Sequence, residues 1–215
     1  MKPCLIFDLD GTLVDSLPGI AASLNRTLTA HGLPGHSHAA IGSFVGNGLR
    51  TLVQRAAGAS ADAASIDSLV ALFKKDYELS WSEGTRAYPG IHKMLDWLRK
   101  DGFQMAVLSN KIHDFTLTMT RSMFPNIHFV AILGQRDGFP HKPDPAGALQ
   151  IANAFGTAPA NCVMIGDSMV DLQTAANAGM QAIAVAWGYS NRARLLAAGA
   201  TRVIENPSDL AALLS

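Results

Sequence analysis

A series of short, continuously apolar runs, each separated from the next by a helical stretch, most constrains the fold of this chain. The runs occupy residues 4–8, 104–109, 129–133, 162–166 and 182–186, with a shorter candidate at 202–205. Continuous apolar runs of this length are typical of strands in a parallel sheet that is covered on both faces. Strands that alternate with helices indicate a doubly wound α/β domain, so we expect a Rossmann-like core.

Start and stop signals mark the helices between these runs. One helix has apolar residues at the spacing of a single helical face, namely Ile91, Met94, Leu95 and Leu98. Gly102 follows this helix as a stop signal. Another helix is expected to begin at Asp144-Pro145, where an acidic cap precedes a proline at the first helical position, and to end at Phe155 before Gly156.

Residues 17–86 interrupt the alternation, because they carry helical patterns and no convincing strand. Their clearest helical stripe consists of Ile66, Leu69, Val70, Phe73 and Tyr77. A stripe of this kind normally faces a core. We therefore expect a small all-helical domain at 17–86, inserted after the first strand of an α/β domain that is formed by 1–16 and 87–215.

Carboxylates follow two of the predicted strands. Asp8 and Asp10 lie at the end of the first run, Asp167 follows the run at 162–166, and Asp171 comes shortly after it. Ligands of open parallel sheets bind beyond the carboxyl ends of the strands, so Asp8 and Asp167 should converge if their strands are neighbours. Clustered carboxylates repel one another, and a divalent cation relieves that repulsion. Hard oxygen ligands of this type favour Mg²⁺.

Other strand ends supply groups that complement these carboxylates. Ser109 and Asn110 place a hydroxyl and an amide at a predicted strand-to-helix turn, where backbone N–H groups bind anions. Lys142 precedes a capped helix. A metal, a carboxylate nucleophile, a hydroxyl, turn amides and a lysine together suit phosphoryl transfer. Each feature alone has an ordinary explanation as a helix cap or a turn, but all of them fall at strand ends of one chain.

These residues resemble four motifs of the haloacid dehalogenase-like hydrolase superfamily, over essentially the whole chain. Residues 7–16, FDLDGTLVDS, match the first motif closely. Ser109 matches the second motif and Lys142 the third. The fourth is matched by Gly166-Asp167-Ser168 together with Asp171. Four motifs in the family's order make the resemblance specific.

The resemblance implies roles for the carboxylates. Asp8 would attack phosphorus as the nucleophile and become an aspartyl-phosphate. Asp10 would protonate the leaving alcohol and later take a proton from the hydrolytic water. Mg²⁺ would be held by the side chain of Asp8, the backbone carbonyl of Asp10 and Asp167. Asp171 would support the metal site from its edge.

The resemblance also implies a phosphate-binding set and a cap. The residues expected to bind phosphoryl oxygens are Thr12, Ser109, Asn110 and Lys142. The helical insert at 17–86 would be the family's cap domain, which closes over the site and excludes water during phosphoryl transfer.

Part of the insert resembles a segment of phosphoglycolate phosphatases. The matching residues are Gly46, Asn47 and Gly48, and Lys111 and the pair Gly188-Tyr189 also fit that subgroup. Arg50, just past the glycine-rich turn, is a candidate partner for a substrate carboxylate. Its alternative interpretation is a solvated charge on a helix, which is the usual setting of arginine.

Charge and composition limit the other partners. The chain has 17 basic and 17 acidic residues, so no electrostatic argument favours nucleic acid or an anionic membrane. Cys4 and Cys162 both lie in apolar runs and are expected to be buried thiols rather than a disulfide framework. We expect a cytoplasmic monomer or homodimer that acts on a small phosphorylated metabolite.

Several activities within the superfamily remain alternatives. Asp10 disfavours dehalogenation, since dehalogenases lack a carboxylate at that position, and phosphonatases also depart from the motif there. Phosphatases of sugar phosphates, pyrophosphate or nucleotides, and sugar phosphomutases, stay open. A non-catalytic binding or regulatory module on the same fold is the alternative from a different class, because fold alone does not fix function.

Overall fold

A computed structural model describes residues 2–214 of the chain. The helices are α1 (Leu17–Ala30), α2 (His38–Phe44), α3 (Leu49–Ala57), α4 (Ala63–Ser80), α5 (Ile91–Lys100), α6 (His113–Met123), α7 (Ala146–Phe155), α8 (Met169–Ala178), α9 (Arg192–Ala197) and α10 (Asp209–Leu214). The strands are β1 (Cys4–Phe7), β2 (Val14–Asp15), β3 (Arg86–Ala87), β4 (Met105–Ile112), β5 (Ala131–Gln135), β6 (Cys162–Gly166), β7 (Gln181–Val185) and β8 (Val203–Ile204). Within the described residues, no helix is long and apolar enough to cross a membrane.

The main sheet has the strand order β5-β4-β1-β6-β7-β8, and all of its neighbouring strands run parallel. β2 and β3 pair in a separate two-stranded sheet. Each apolar run in the sequence corresponds to a strand of the main sheet, and the run at 162–166 coincides with β6. The prediction of a doubly wound α/β core is therefore confirmed.

The chain reverses its direction of travel across the sheet at β1. From β1 it proceeds to β4 and β5 on one side, and later to β6, β7 and β8 on the other. Such a reversal leaves a crevice at the carboxyl ends of the central strands, where ligands of open α/β sheets bind. The sheet order therefore places the ends of β4, β1 and β6 side by side.

The helices bury the apolar faces that the sequence pattern predicted. Helix α5 buries Ile91, Met94, Leu95 and Leu98. Helix α7 ends at Phe155, and Gly156 adopts the left-handed conformation as its cap, at φ 68°. This helix begins at Ala146 rather than at Pro145, although a side-chain oxygen of Asp144 does accept the Ala146 N–H at 2.9 Å. Cys4 and Cys162 are free and buried, as expected.

The strand-to-helix turn predicted at Ser109 and Asn110 is wrong. β4 continues to Ile112, and α6 begins at His113. The pairing with β5 shifts in register between Leu108 and Ile112, so the strand carries an irregularity through this segment. Irregularities of this kind re-aim side chains near functional sites while the strand continues. Ser109 and Asn110 therefore lie within the strand and not in a helix-capping turn.

The chain divides into two compact units. One is Asp15–Arg86, which contains α1 to α4, and the other holds the main sheet. Within the helical unit, α4 buries most of the predicted stripe, including Ile66, Leu69, Phe73 and Tyr77, while Val70 is half-buried. The rings of Phe73 and Tyr77 stack with centroids 5.2 Å apart. This unit therefore has an apolar core of its own.

Candidate active site

Asp8 and Asp167 meet because their strands are neighbours. Phe7 pairs with Ile165 across β1 and β6, and the backbone N–H of Asp8 donates to the Ile165 carbonyl at 2.9 Å. Both aspartates follow directly on these paired strand ends. The convergence expected from the sequence is thus present in the sheet, and it depends on the central position of β1.

Asp8, Asp167 and Asp171 form an acidic cluster in which each offers a carboxylate oxygen within 4.8 Å of the others. Burial raises the pKa of Asp8 from 3.8 to about 7 despite the attraction of Lys142. Burial also raises the pKa of Asp167 well above its ordinary value. These are hard oxygen donors whose negative charges destabilise one another, and such a set fits a divalent cation.

Lys142 lies against this cluster. Its ammonium group is 3.1 Å from Asp8 Oδ1 and 2.6 Å from Asp171 Oδ1, and its side chain is only 4% exposed. Burial on its own would lower the pKa of Lys142, but the two carboxylates outweigh that effect and raise it. The lysine is therefore held charged at the carboxyl end of the sheet.

The side chain of Asn110 positions Lys142 by binding the backbone of the lysine. The Asn110 side chain donates from Nδ2 to the Lys142 carbonyl at 3.0 Å, and its Oδ1 accepts the Lys142 N–H at 2.8 Å. A paired bond of this kind fixes the loop that carries the lysine. The sequence predicted that Asn110 binds phosphate, and that role stays a prediction beside the positioning contact found here.

Ser109 lies beside Asn110 on β4 and is buried. Its hydroxyl oxygen accepts the backbone N–H of Lys111 at 3.3 Å. Since β1 and β4 are neighbours in the sheet, Ser109 lies on the strand next to the one that Asp8 follows. This is the neighbourhood that its predicted phosphate-binding role requires.

Asp10 takes a partner that sequence reasoning did not assign. Lys111 Nζ lies 3.1 Å from Asp10 Oδ1 and 3.2 Å from Asp10 Oδ2. Both side chains are largely buried, with 7% of Lys111 and 12% of Asp10 exposed. The Asp10 carboxylate is therefore paired with Lys111, and a metal contact through the Asp10 backbone carbonyl stays a prediction.

Asp171 is fixed at the start of α8. Its Oδ2 accepts from the Ser168 hydroxyl at 2.6 Å and from the Ser168 N–H at 3.1 Å. The Asp171 N–H donates in return to Ser168 Oγ at 3.4 Å, which completes a capping box. Its other oxygen contacts Lys142. The motif GDS followed by Asp171 therefore combines a helix start with a member of the acidic cluster.

The loop after β7 closes against Asp167, and this contact was missed from the sequence. The Tyr189 N–H donates to Asp167 Oδ2 at 2.7 Å, and the Trp187 indole donates to the Thr12 carbonyl at 2.9 Å. A Cβ at Gly188 would collide with the Gly11 carbonyl and with Asp167, so this close approach requires glycine. The pair Gly188-Tyr189 was recognised as typical of a subgroup, but nothing in its spacing reveals the contact.

Thr12 is buried, and its hydroxyl lies 3.4 Å from Asp167 Oδ1. The hydroxyl therefore faces the metal-binding candidates in this structure. Its predicted part in phosphate binding stays untested.

The candidate substrate residues of the helical unit make local contacts. Arg50 forms an exposed ion pair with Asp67, as its alternative interpretation as a solvated charge suggested. Asn47 Oδ1 accepts from Arg55 at 3.0 Å. Gly46 and Gly48 have φ values of 116° and 84°, which side-chain-bearing residues rarely adopt. The glycines therefore shape the turn, and a substrate role for this segment remains a prediction.

The raised pKa values predict how the stability of the metal-free protein depends on pH. Between pH 3.8 and about 7, folded Asp8 holds a proton that the unfolded chain has released. Stability falls with rising pH wherever the folded state binds more protons, and Asp167 acts in the same direction. We expect the unfolding midpoint of the protein in chelator to be lower at pH 7.5 than at pH 5, by differential scanning calorimetry.

Two comparisons check that prediction. Millimolar Mg²⁺ should raise the midpoint more at pH 7.5 than at pH 5, because protons and the cation compete for the same oxygens. Asp8→Asn should flatten the pH dependence of the metal-free protein. Partial desolvation lowers the pKa of His141, which acts in the opposite direction below pH 6.5, but the residue is exposed enough for solvent to keep that effect small. A midpoint in chelator that rises from pH 5 to pH 7.5 would contradict the assignment.

The chain is similar to known proteins over most of its length. The model of the haloacid dehalogenase-like hydrolases matches residues 5–185. A phosphoglycolate phosphatase of Pseudomonas putida is 38% identical over 216 residues, covering 98% of this chain and 78% of the relative. A phosphoglycolate phosphatase of Mesorhizobium japonicum is 35% identical over 194 residues, covering 89% of this chain and 86% of the relative.

A solved structure shares the fold over the full length. The crystal structure of a predicted phosphoglycolate phosphatase from Haemophilus somnus superposes with a TM-score of 0.92 at 26% identity. The match covers 100% of this chain and 98% of that one. Sequence and fold therefore give the same resemblance.

Proposed function

The chain belongs to the haloacid dehalogenase-like hydrolase family and is a phosphatase, and from that premise we propose that it hydrolyses 2-phosphoglycolate, or a close analogue, through an aspartyl-phosphate at Asp8. The observation that carries the proposal is the contact of Lys142 with both Asp8 and Asp171 at the carboxyl end of the sheet. A buried cation beside a nucleophilic carboxylate suits a phosphoryl group, whose oxygens need charge neutralisation.

The first chemical step uses Asp8 and Asp10. An oxygen of Asp8 attacks phosphorus, the bond from phosphorus to the ester oxygen breaks, and its electron pair goes to the departing alcohol. Asp10 donates a proton to that oxygen, so a neutral alcohol leaves. In the second step water attacks phosphorus, Asp10 takes the water's proton, and the Asp8 carboxylate is regenerated with release of phosphate.

Asp8, Asp167 and the Asp10 backbone carbonyl would hold Mg²⁺, with Asp171 in support at the edge of the site. When bound, the cation neutralises phosphoryl oxygens and favours the ionised form of Asp8. The acidic cluster and the raised pKa values of Asp8 and Asp167 support this placement. Asp167 is oriented by the Tyr189 N–H.

The phosphoryl group is positioned by Thr12, Ser109, Asn110 and Lys142. Lys142 supplies the positive charge, and the Asn110 side chain holds the lysine in place by two hydrogen bonds to its backbone. Positioning and charge neutralisation provide most of the catalysis in phosphoryl transfer. We therefore expect these four residues to account for much of the rate of the first step.

The helical segment at 17–86 acts as a cap domain that excludes water from the site, with the core domain formed by 1–16 and 87–215. Gly46, Asn47, Gly48 and Arg50 remain the candidate substrate contacts in it. Arg50 is paired with Asp67 in this structure, so a substrate would compete with that carboxylate for the guanidinium. The cytoplasmic location and the monomeric or homodimeric state stay predictions.

The substrate proposal comes from the relatives. Those from Pseudomonas putida and Mesorhizobium japonicum are phosphoglycolate phosphatases by name. Sugar phosphates, pyrophosphate and nucleotides share the same phosphoryl group and remain alternatives, and a sugar phosphomutase would use the same two aspartates.

A phosphate-release screen tests the proposal. Phosphoglycolate, hexose phosphates, pyrophosphate, nucleoside monophosphates and p-nitrophenyl phosphate are compared with Mg²⁺ and with chelator. We expect Mg²⁺-dependent turnover with the highest kcat/KM for phosphoglycolate. A strong preference for a sugar phosphate would overturn the substrate and keep the mechanism. No turnover of any of these compounds, with Mg²⁺ or after its replacement by other divalent metals, would favour a binding module.

A further inference from the structure

Lys111 is a buried lysine that the proposed mechanism does not use. Its side chain is 7% exposed, and its ammonium contacts both carboxylate oxygens of Asp10. Burying a lysine is costly unless it is paired, and Asp10 supplies that pairing. Lys142 already occupies the side of the site formed by Asp8 and Asp171. Lys111 therefore lies on the side of Asp10.

The backbone of Lys111 is held from several directions. Its N–H donates to Ser109 Oγ, and its carbonyl accepts from Thr116 Oγ1 at 3.1 Å. Gly134 approaches the same carbonyl so closely that an added Cβ would lie 2.6 Å from it. The register shift of β4 between Leu108 and Ile112 spans this residue. Lys111 is therefore a placed side chain rather than a mobile surface lysine.

The side of Asp10 is the side of the leaving group. A carboxyl that protonates the ester oxygen must lie within about 3 Å of it, so Lys111 Nζ, which is 3.1 Å from Asp10 Oδ1, lies within about 6 Å of that oxygen. In the phosphate ester of a 2-hydroxy acid, the carboxylate is attached to the carbon that bears the ester oxygen. That carboxylate is therefore within reach of the Lys111 ammonium.

We propose that Lys111 is the residue of the core domain that binds the substrate's carboxylate, and that it selects phosphate esters of 2-hydroxy acids over esters of neutral alcohols. The inference rests on the proposed function, because it takes Asp10 to be the acid at the leaving group. Lys111 then bridges Asp10 and the substrate carboxylate. A site built to bind a charged group discriminates against analogues that lack that group.

Two substrates that differ at a single group test this role. 2-Phosphoglycolate carries a carboxylate where ethyl phosphate carries a methyl group, and the rest of the ester is the same. Lys111→Met should lower the ratio of kcat/KM for phosphoglycolate to that for ethyl phosphate by about 10 to 100-fold, which is the usual loss of a hydrogen bond to a charged group. Most of the change should appear in KM for phosphoglycolate.

Matched variants serve as controls. Lys111→Arg keeps the charge and should retain a larger part of the preference than Lys111→Met. Lys93→Met removes an exposed lysine of α5 and should leave the ratio unchanged. Thermal unfolding of each variant shows whether it folds. A binding measurement in an Asp8→Asn background, by calorimetry, gives the affinities of both esters without turnover.

The outcomes separate this inference from the proposed function. A ratio of kcat/KM that Lys111→Met leaves unchanged would overturn the inference, because equal losses for both esters would mean that Lys111 acts only through Asp10. Equal weakening of both esters in the binding measurement would also overturn it. In either case, Mg²⁺-dependent turnover of either ester would leave the phosphatase proposal standing. A wild-type protein that hydrolyses neither ester would refute the proposed function itself.

Discussion

Replacing Asp8 by Asn is expected to lower kcat for Mg²⁺-dependent phosphate release by at least about 10⁴-fold, since an amide cannot form the aspartyl-phosphate. The fold should survive, because Asn has nearly the same volume as Asp and because burial already disfavours the ionised carboxylate of Asp8. Two rates are measured for the folded variant, namely the release of p-nitrophenol from p-nitrophenyl phosphate and the release of phosphate from phosphoglycolate.

A control separates this loss from a general effect of removing a carboxylate. Asp114→Asn changes an exposed aspartate in the first turn of α6, in the same unit as the site, and should keep nearly full activity. Substantial residual turnover by folded Asp8→Asn protein would remove Asp8 as the nucleophile. The acidic cluster would then have to be assigned to metal binding alone.

Among the proposed substitutions, Lys142→Met is expected to lower the free energy of unfolding the most. The change leaves Asp8 and Asp171 in a buried setting without their shared cation, and breaking a buried ion pair in this way costs about 3–5 kcal/mol. Turnover should also fall by a factor of about 10² or more, because a charge-neutralising group at the phosphoryl oxygens is lost. Urea denaturation in chelator at pH 7.5 gives the free energy of unfolding.

An exposed ion pair provides the matched comparison for Lys142. Lys100 lies 3.3 Å from Asp96 on the surface of α5, where solvent screens the interaction, so Lys100→Met should hardly change stability. Acidic pH should reduce the deficit of Lys142→Met, because protonation of Asp8 removes one of the unpaired charges. A Lys142→Met protein as stable as the wild type at pH 7.5 would show that the observed contacts do not hold the site together.

The elements of the fold follow from local patterns. The apolar run at 162–166 coincides with β6, and the stripe on α5 is buried as its spacing predicted. Such patterns are legible because one strand or helix face must be apolar throughout in order to be buried. The convergence of Asp8 and Asp167 also followed, given only that β1 and β6 are neighbours.

The end of β4 shows where local patterns are insufficient. Ser109 and Asn110 have the composition of a helix start, yet the strand continues to Ile112 through a register shift against β5. That continuation depends on pairing with β5, which follows only after helix α6, and a local window contains no trace of it. The same shift accompanies the placement of Lys111 against Asp10.

The sequence by itself determined the α/β core, the order of its motifs and the carboxylates that carry the chemistry, because strand periodicity and motif spacing are properties of neighbouring residues. Only the tertiary structure decided which cation each carboxylate meets. Lys142 is about 30 positions from Asp171, and Lys111 about 100 from Asp10, so their contacts depend on sheet order and loop packing. The closure of Gly188 and Tyr189 over Asp167 is of the same kind, because space for a backbone that close exists only once the strands have assembled.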